Sequence, residues 1–225
     1  MDWQAIRLSL VLAASTTLIL LVIGLPLAYW LGFTRWRWRF LVEAVVALPL
    51  VLPPTVLGFY VLLAIGPRSP LGHAYESITG RLLPFSFPGL LIASVLYSLP
   101  FAVQPFAAAM AGVDRRLVEA SWCLGVSRRG TFRRVIAPLA APGIVSGMVL
   151  SFAHTLGEFG VVLMVGGNLP GRTRTVSISI YDAVQALDYA AAGRTSLFLL
   201  AVSFLVLAVT YAFHRSVWAV WPLRS

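Results

Sequence analysis

Long apolar runs alternate with short arginine-bearing segments along almost the whole chain. Five runs, residues 8–31, 41–65, 88–110, 139–165 and 195–213, come close to the roughly 20 residues that cross a bilayer as a helix. They predict an all-α integral membrane protein, a single transmembrane domain over residues 1–225. The first run lacks a basic leading region and a small-residue cleavage pattern, so it is expected to be a retained span. Pro49, Pro53 and Pro54 interrupt the second run, and Pro100 and Pro105 the third. Each proline frees a backbone carbonyl that hydrocarbon cannot satisfy, so these helices are expected to face protein or a wet cavity. Residues 66–87 read as a polar loop, and residues 176–187, within the loop that follows Val165, as a short amphipathic helix at the surface.

One segment breaks the alternation by being both long and basic. Residues 112–138 carry Arg115, Arg116, Arg128, Arg129, Arg133 and Arg134, interleaved with Leu117, Val118, Trp122, Leu124, Phe132 and Val135 at roughly helical spacing. Asp114 is placed to cap a first helix, Gly125 to end it, and Ser127 to cap a second helix that stops before Pro138. The spacing predicts a helix–glycine–helix element outside the membrane.

Composition agrees with the pattern: 59% of residues are hydrophobic, 11% are charged and the mean hydropathy is +0.88. The net charge of +9 suggests nucleic acid at first sight, but the arginines sit in short loops between apolar runs, where bilayer topology explains them better. No nucleic-acid partner is expected. Trp36 and Trp38 among Arg35, Arg37 and Arg39, and the tryptophans and arginines of the C-terminal tail, read as interfacial belts. With five spans, eleven arginines fall on the side of residues 32–40, the 112–138 segment and the tail, against six on the other. The positive-inside tendency then puts the N-terminus outside and the C-terminus in the cytoplasm. A single cysteine, Cys123, excludes an intrachain disulfide and a multi-cysteine metal site, and His73 has no second ligand to make it a metal site.

Within the fourth run, Ser151, His154 or Thr155, Glu158 and Val162 recur at helical spacing and put a hydroxyl, an imidazole and a carboxylate on one side. An ionisable group inside a span is a functional candidate by default, although Glu158 reads equally as a tie between helices. Its negative charge argues against coordinating an oxyanion. Arg172, Arg174 and Arg194 offer an electropositive approach for such an anion, or else act as loop charges or ion-pair partners of Asp182 and Asp188.

The order Glu119-Ala120-Ser121, Gly125, Val135 and Pro138 resembles the "EAA" loop of permease subunits of ATP-binding-cassette importers. Ser121 stands where a second alanine is usual, and Val135 and Ala137 where isoleucine and leucine are commoner. The stretch from Thr155 to Gln185, with its PGRTRTVS run, resembles the molybdate permeases more than their sulfate relatives. The resemblance implies that Asp114, Arg115, Glu119, Ala120, Gly125, Arg128, Arg129 and Pro138 couple to an ATPase subunit. It implies that Ser151, His154, Thr155, Gly157, Glu158 and Gly160 lie by the translocation path or gate. Asn168, Arg172, Arg174 and Asp182 would belong to an outer segment that meets an extracytoplasmic molybdate-binding protein. It implies further a homodimer in the bacterial inner membrane, with two ATP-binding subunits and lipid as its partners.

No phosphate-binding G-x-x-x-x-G-K-S/T loop occurs and the chain holds no lysine. No cofactor is therefore expected on this chain, and ATP and Mg belong to the partner. A permease for tungstate, sulfate or thiosulfate is the alternative within the class. A channel or secondary transporter has no reason to carry the Glu119…Gly125…Pro138 element. A membrane enzyme on His154 and Glu158 would lack a nucleophile or metal cluster.

Overall fold

Three long helices make the packed centre of the protein in a computed structural model that describes residues 2–219. Helix α1 spans Trp3–Phe33, α5 spans Phe87–Ala111 and α8 spans Ala137–Gly157, with α5 packed against both of the others. Leu20, Ala28, Val103, Phe106, Met110, Ile136 and Ala140 close this core and are almost fully enclosed. Helix α11, Tyr189–Ala219, flanks α8 and α10. The expected all-α class holds, with no strand among the described residues. The tail belt of Arg215, Trp218, Trp221 and Arg224 lies outside the described side chains.

The second apolar run is not one straight span. It folds as α2, Arg39–Val51, and α3, Pro54–Ile65, with a bend of 114° between them. The cause is local. A residue before proline is driven out of the helical region, and Leu52 is extended at ψ 135, while Pro53 and Pro54 supply no amide to bridge the gap. Pro54 then starts α3 at a position where a missing N–H costs nothing. Among the described residues four helical segments are long and apolar enough to cross a membrane, and the bent pair, taken together as one broken span, brings the number to five.

Two further boundaries differ from expectation. Residues 66–87 are not all loop: α4 occupies Pro70–Thr79, capped by Ser69, whose hydroxyl accepts from the Gly72 amide at 2.9 Å. The fourth run breaks after α8, because Glu158 is extended and Phe159 leaves the helix before α9, Gly160–Gly166. The surface helix α10 covers Val176–Gln185, close to the predicted range.

The basic segment folds as α6, Arg115–Cys123, then α7, Arg128–Thr131. Asp114 caps α6 by accepting from the Arg116 amide at 2.9 Å, and Ser127 caps α7 by accepting from Gly130 at 3.2 Å. Between them Gly125 sits at φ +75, a conformation that other residues adopt only with strain. The second helix does not stop before Pro138, as its proline suggested. It passes through a π-helical turn, Phe132–Ile136, straight into α8. Widening the turn, so that Ala137 donates to the Phe132 carbonyl, eases the clash that proline makes with the preceding turn.

Candidate translocation and coupling sites

At mid-chain depth in the bundle, α5 and α8 are joined through polar side chains. Ser98 of α5 makes hydrogen bonds with Thr155 at 2.8 Å and with the Nδ1 of His154 at 3.0 Å. Thr155 donates back to the Ser151 carbonyl at 2.8 Å, and the Ser151 hydroxyl to the Met148 carbonyl at 3.0 Å. The imidazole is stacked on Phe101 with centroids 3.9 Å apart and lies 4.8 Å from Tyr97. These contacts hold the His154 ring in place, and the residue as a whole is half-buried. The pattern of hydroxyls in the sequence did not single out Ser98 as the hub, since it lies on a different helix from the residues it joins.

Ser151 and Thr155 of α8, and Glu158 just past its end, are all buried. Val162, expected on the same side, lies beyond the break at Glu158 in α9 and clusters with Leu12, Leu90 and Ile178, so it still packs against α5 through Leu90. Glu158 is enclosed, and neither carboxylate oxygen has a hydrogen-bond partner among the described residues. The Ser94 hydroxyl stands beside it but misses bonding geometry and is itself unpaired. Gly157 lies exposed one residue earlier, with nothing near the position of a Cβ. Gly160 packs against Pro54, where a Cβ would come within 2.7 Å of the proline side chain. Gly58 meets Met164 in the same way, so α3 and α9 lie in close contact immediately after their respective breaks.

The outer segment is ordered by its own polar atoms. Arg174 donates to Asn168 at 2.6 Å and lies 3.3 Å from Asp182 and 4.0 Å from Asp2, while Asn168 donates to Asp182 at 2.7 Å. Arg174 is therefore an internal ion-pair residue, whereas Arg172 and Arg194 are exposed. Asp188 is not a partner of these arginines; it accepts from the Ala191 amide at 3.0 Å at the start of α11. The amides of Arg172, Thr173 and Arg174 all converge on the Leu169 carbonyl at 3.0–3.1 Å, which makes the PGRTRT run a tight turn. Ser9 of α1 accepts from the Val176 amide at 2.8 Å and ties this segment to the first helix.

At the opposite end of the bundle, the helix–glycine–helix element is anchored by Val113, Val118 and Ile136, which join the central core. Ser121 and Thr131 share a buried hydrogen bond of 2.7 Å that locks α6 to α7. This gives Ser121, the departure from the usual alanine, a structural reason. Arg115, Glu119, Ala120, Arg128 and Arg129 stay exposed, together with Leu117, Trp122 and Leu124. The element is thus ordered from within and presents both apolar and charged side chains outward. Pro138, at the start of α8, is exposed next to it. Among the described residues no group of three or more His, Cys, Asp or Glu is placed to hold a metal ion.

Bent apolar spans around a polar interhelical cluster, with an ordered basic element at one end, define a membrane transport subunit. Residues 8–218 match the family described as binding-protein-dependent transport system inner membrane component, and the chain belongs to that family. It is the non-catalytic, multi-pass permease subunit of an ABC-type importer, a system built from a binding protein, a permease and an ATPase. More particularly, it is similar to the molybdenum transport system permease protein ModB of Azotobacter vinelandii, 50% identical over 214 residues covering 95% of each chain. The protein of the same name from Escherichia coli K12 is 36% identical over 184 residues, covering 82% of this chain and 80% of that one. A bacterial alginate ABC transporter has the same fold, with a TM-score of 0.76 at 18% identity, covering 95% of this chain and 78% of that one.

Proposed function

We propose that two copies of this chain form the membrane pathway through which molybdate enters the cell, driven by two ATP-binding subunits and fed by an extracytoplasmic binding protein. The observation that carries this reading is the similarity to a molybdenum permease over 95% of both chains. The charge distribution supports an external N-terminus and a cytoplasmic C-terminus, with α6 and α7 inside, where an ATPase is.

In this reading the exposed surface of Asp114, Arg115, Glu119, Ala120, Arg128, Arg129 and Pro138 meets the ATPase, and Gly125 shapes the turn. The half-buried His154 is available to the anion as it passes, oriented by Ser98, with Thr155 and Ser151 continuing the polar line along α8. Gly157 and Gly160 border the break where the path narrows, and Glu158 serves the helix break from inside the protomer and does not touch the anion. Arg172 is the outer arginine free to meet a binding protein, while Arg174, Asn168 and Asp182 keep that turn in shape.

The test is uptake into proteoliposomes holding the permease and its ATPase, with molybdate, tungstate or sulfate presented by the cognate binding protein. Molybdate and tungstate should accumulate and sulfate should not. Sulfate accumulation at the rate of molybdate would move the chain to the sulfate branch and leave the ATP-coupled assignment intact.

A further inference from the structure

We infer that the groove between α1 and the π-helical turn is a binding site for an anionic phospholipid. The groove has a volume of about 730 Å³ and is lined by Leu25, Pro26, Tyr29 and Phe132, with Arg128, Arg129 and Arg133 around it. Tyr29 meets Phe132 edge-on with ring centroids 5.5 Å apart, so its floor is a fixed aromatic corner.

Two features of this site call for one amphipathic ligand. The apolar floor extends into a transmembrane helix: Leu25 lies eight residues before the end of α1 at Phe33, about 12 Å along the helix axis. The three arginines are exposed, and none has a carboxylate within 4.0 Å among the described residues. A guanidinium cluster matches a phosphate in geometry and charge, and the floor below it matches an acyl chain. A free phosphate would leave the floor uncovered. A protein docking on α6 and α7, as the proposed ATPase does, would meet Arg128 and Arg129 from their exposed side and would have to reach past Arg133 along α1 to cover the floor at Leu25 and Pro26. A phospholipid with a net negative headgroup satisfies both parts at once.

The site has its origin in the route of the chain through Pro138. The π turn carries Phe132 and Arg133 on the segment that runs into α8, and Pro26 stands opposite in α1. Phosphatidylglycerol held there would brace the basic element against α1 at the membrane surface. Juxtamembrane arginines attract anionic lipid with about 1 kcal/mol each, which is about fivefold in occupancy per arginine.

The experiment is native mass spectrometry of the assembled transporter released from vesicles of equal parts phosphatidylcholine and phosphatidylglycerol. The wild type should retain phosphatidylglycerol over phosphatidylcholine. Arg133→Gln should lower that preference by about fivefold, Leu25→Asn should lower retention while leaving the arginines in place, and Arg81→Gln in the loop after α4 should change nothing. Equal retention of the two lipids, or unchanged preference in Arg133→Gln, would overturn the proposal. So would displacement of the lipid by millimolar glycerol phosphate, which would make this a site for soluble phosphate. Loss of the lipid when the ATPase subunit is added back to the separately purified permease would assign the groove to that partner and overturn it equally.

Discussion

Ser98 holds two side chains of a neighbouring helix at once, and it does so in a region where few polar alternatives exist. Its replacement by alanine removes the partner of Thr155 and of the His154 Nδ1 while leaving packing almost unchanged. Interhelical hydrogen bonds of this kind contribute about 0.6–1.7 kcal/mol in membrane proteins. Ser98→Ala should lower the melting temperature only slightly yet reduce uptake several-fold, because His154 is no longer oriented. Ser98→Thr should restore much of the loss. Uptake at the wild-type rate in Ser98→Ala would remove His154 from the path.

Glu158 presents the opposite case, a buried carboxylate with no hydrogen-bond partner among the described residues. Enclosing a polar group without a partner costs about 1–3 kcal/mol, so Glu158→Met should raise the melting temperature in detergent. If the carboxyl serves transport, the same variant loses uptake, the usual exchange of stability for function. A lower melting temperature would mean that the carboxyl is satisfied in the membrane. The residue's presence in the span made it a candidate from sequence, but its enclosure was not legible there. Helical spacing fixes the face of a side chain and says nothing of what the adjoining helix places opposite. Arg174 teaches the same lesson: the charge was visible, whereas its engagement by Asn168, Asp182 and Asp2 depends on a turn that brings them together.

Two elements break at matching places. The bend before α3 was announced by Pro53 and Pro54, though not its angle, and the break before α9 was announced by no proline at all. Glu158 and Phe159 leave the helix between Gly157 and Gly160, and the two short helices that follow lie against each other through Gly58 and Gly160. A methyl group added at Gly160 would meet the Pro54 side chain, and the backbone of two helix starts would have to separate. Gly160→Ala should therefore reduce uptake strongly while leaving assembly with the ATPase subunit intact, as read by co-purification. Normal uptake would show that α3 and α9 need not lie so close. The helix–glycine–helix element was more legible, because its two caps and its turn are local chemistry carried by Asp114, Ser127 and Gly125. Its continuation through a π turn was hidden, since proline marks a helix end as readily as a helix start.

For the whole molecule, the five apolar runs fixed the class, and the arginine distribution supplied the expected orientation. Large apolar side chains remain exposed even on α1 of the packed centre, as at Val22, and on α2 and α11, as at Val51 and Phe204. Lipid covers such surface in any membrane protein, and a second copy covers part of it in the proposed homodimer. Which part is which was not legible in the sequence, because lipid and a neighbouring helix present the same chemistry to a valine or phenylalanine. The surface proposed for coupling is different in kind: it is ordered by a buried Ser121–Thr131 bond yet displays Glu119, Leu117 and Leu124 outward.

The central claim is that ATP hydrolysis in a partner drives transport through this surface. The most direct measurement compares molybdate uptake by the wild type and by Glu119→Lys in proteoliposomes containing the ATPase and binding protein, with ATP supplied only on the ATPase side. The account predicts ATP-dependent uptake by the wild type and loss of at least 90% of it in Glu119→Lys, about 1.4 kcal/mol or more of coupling, with membrane insertion unchanged. Uptake that proceeds without ATP, or that survives the Glu119→Lys replacement, would contradict it.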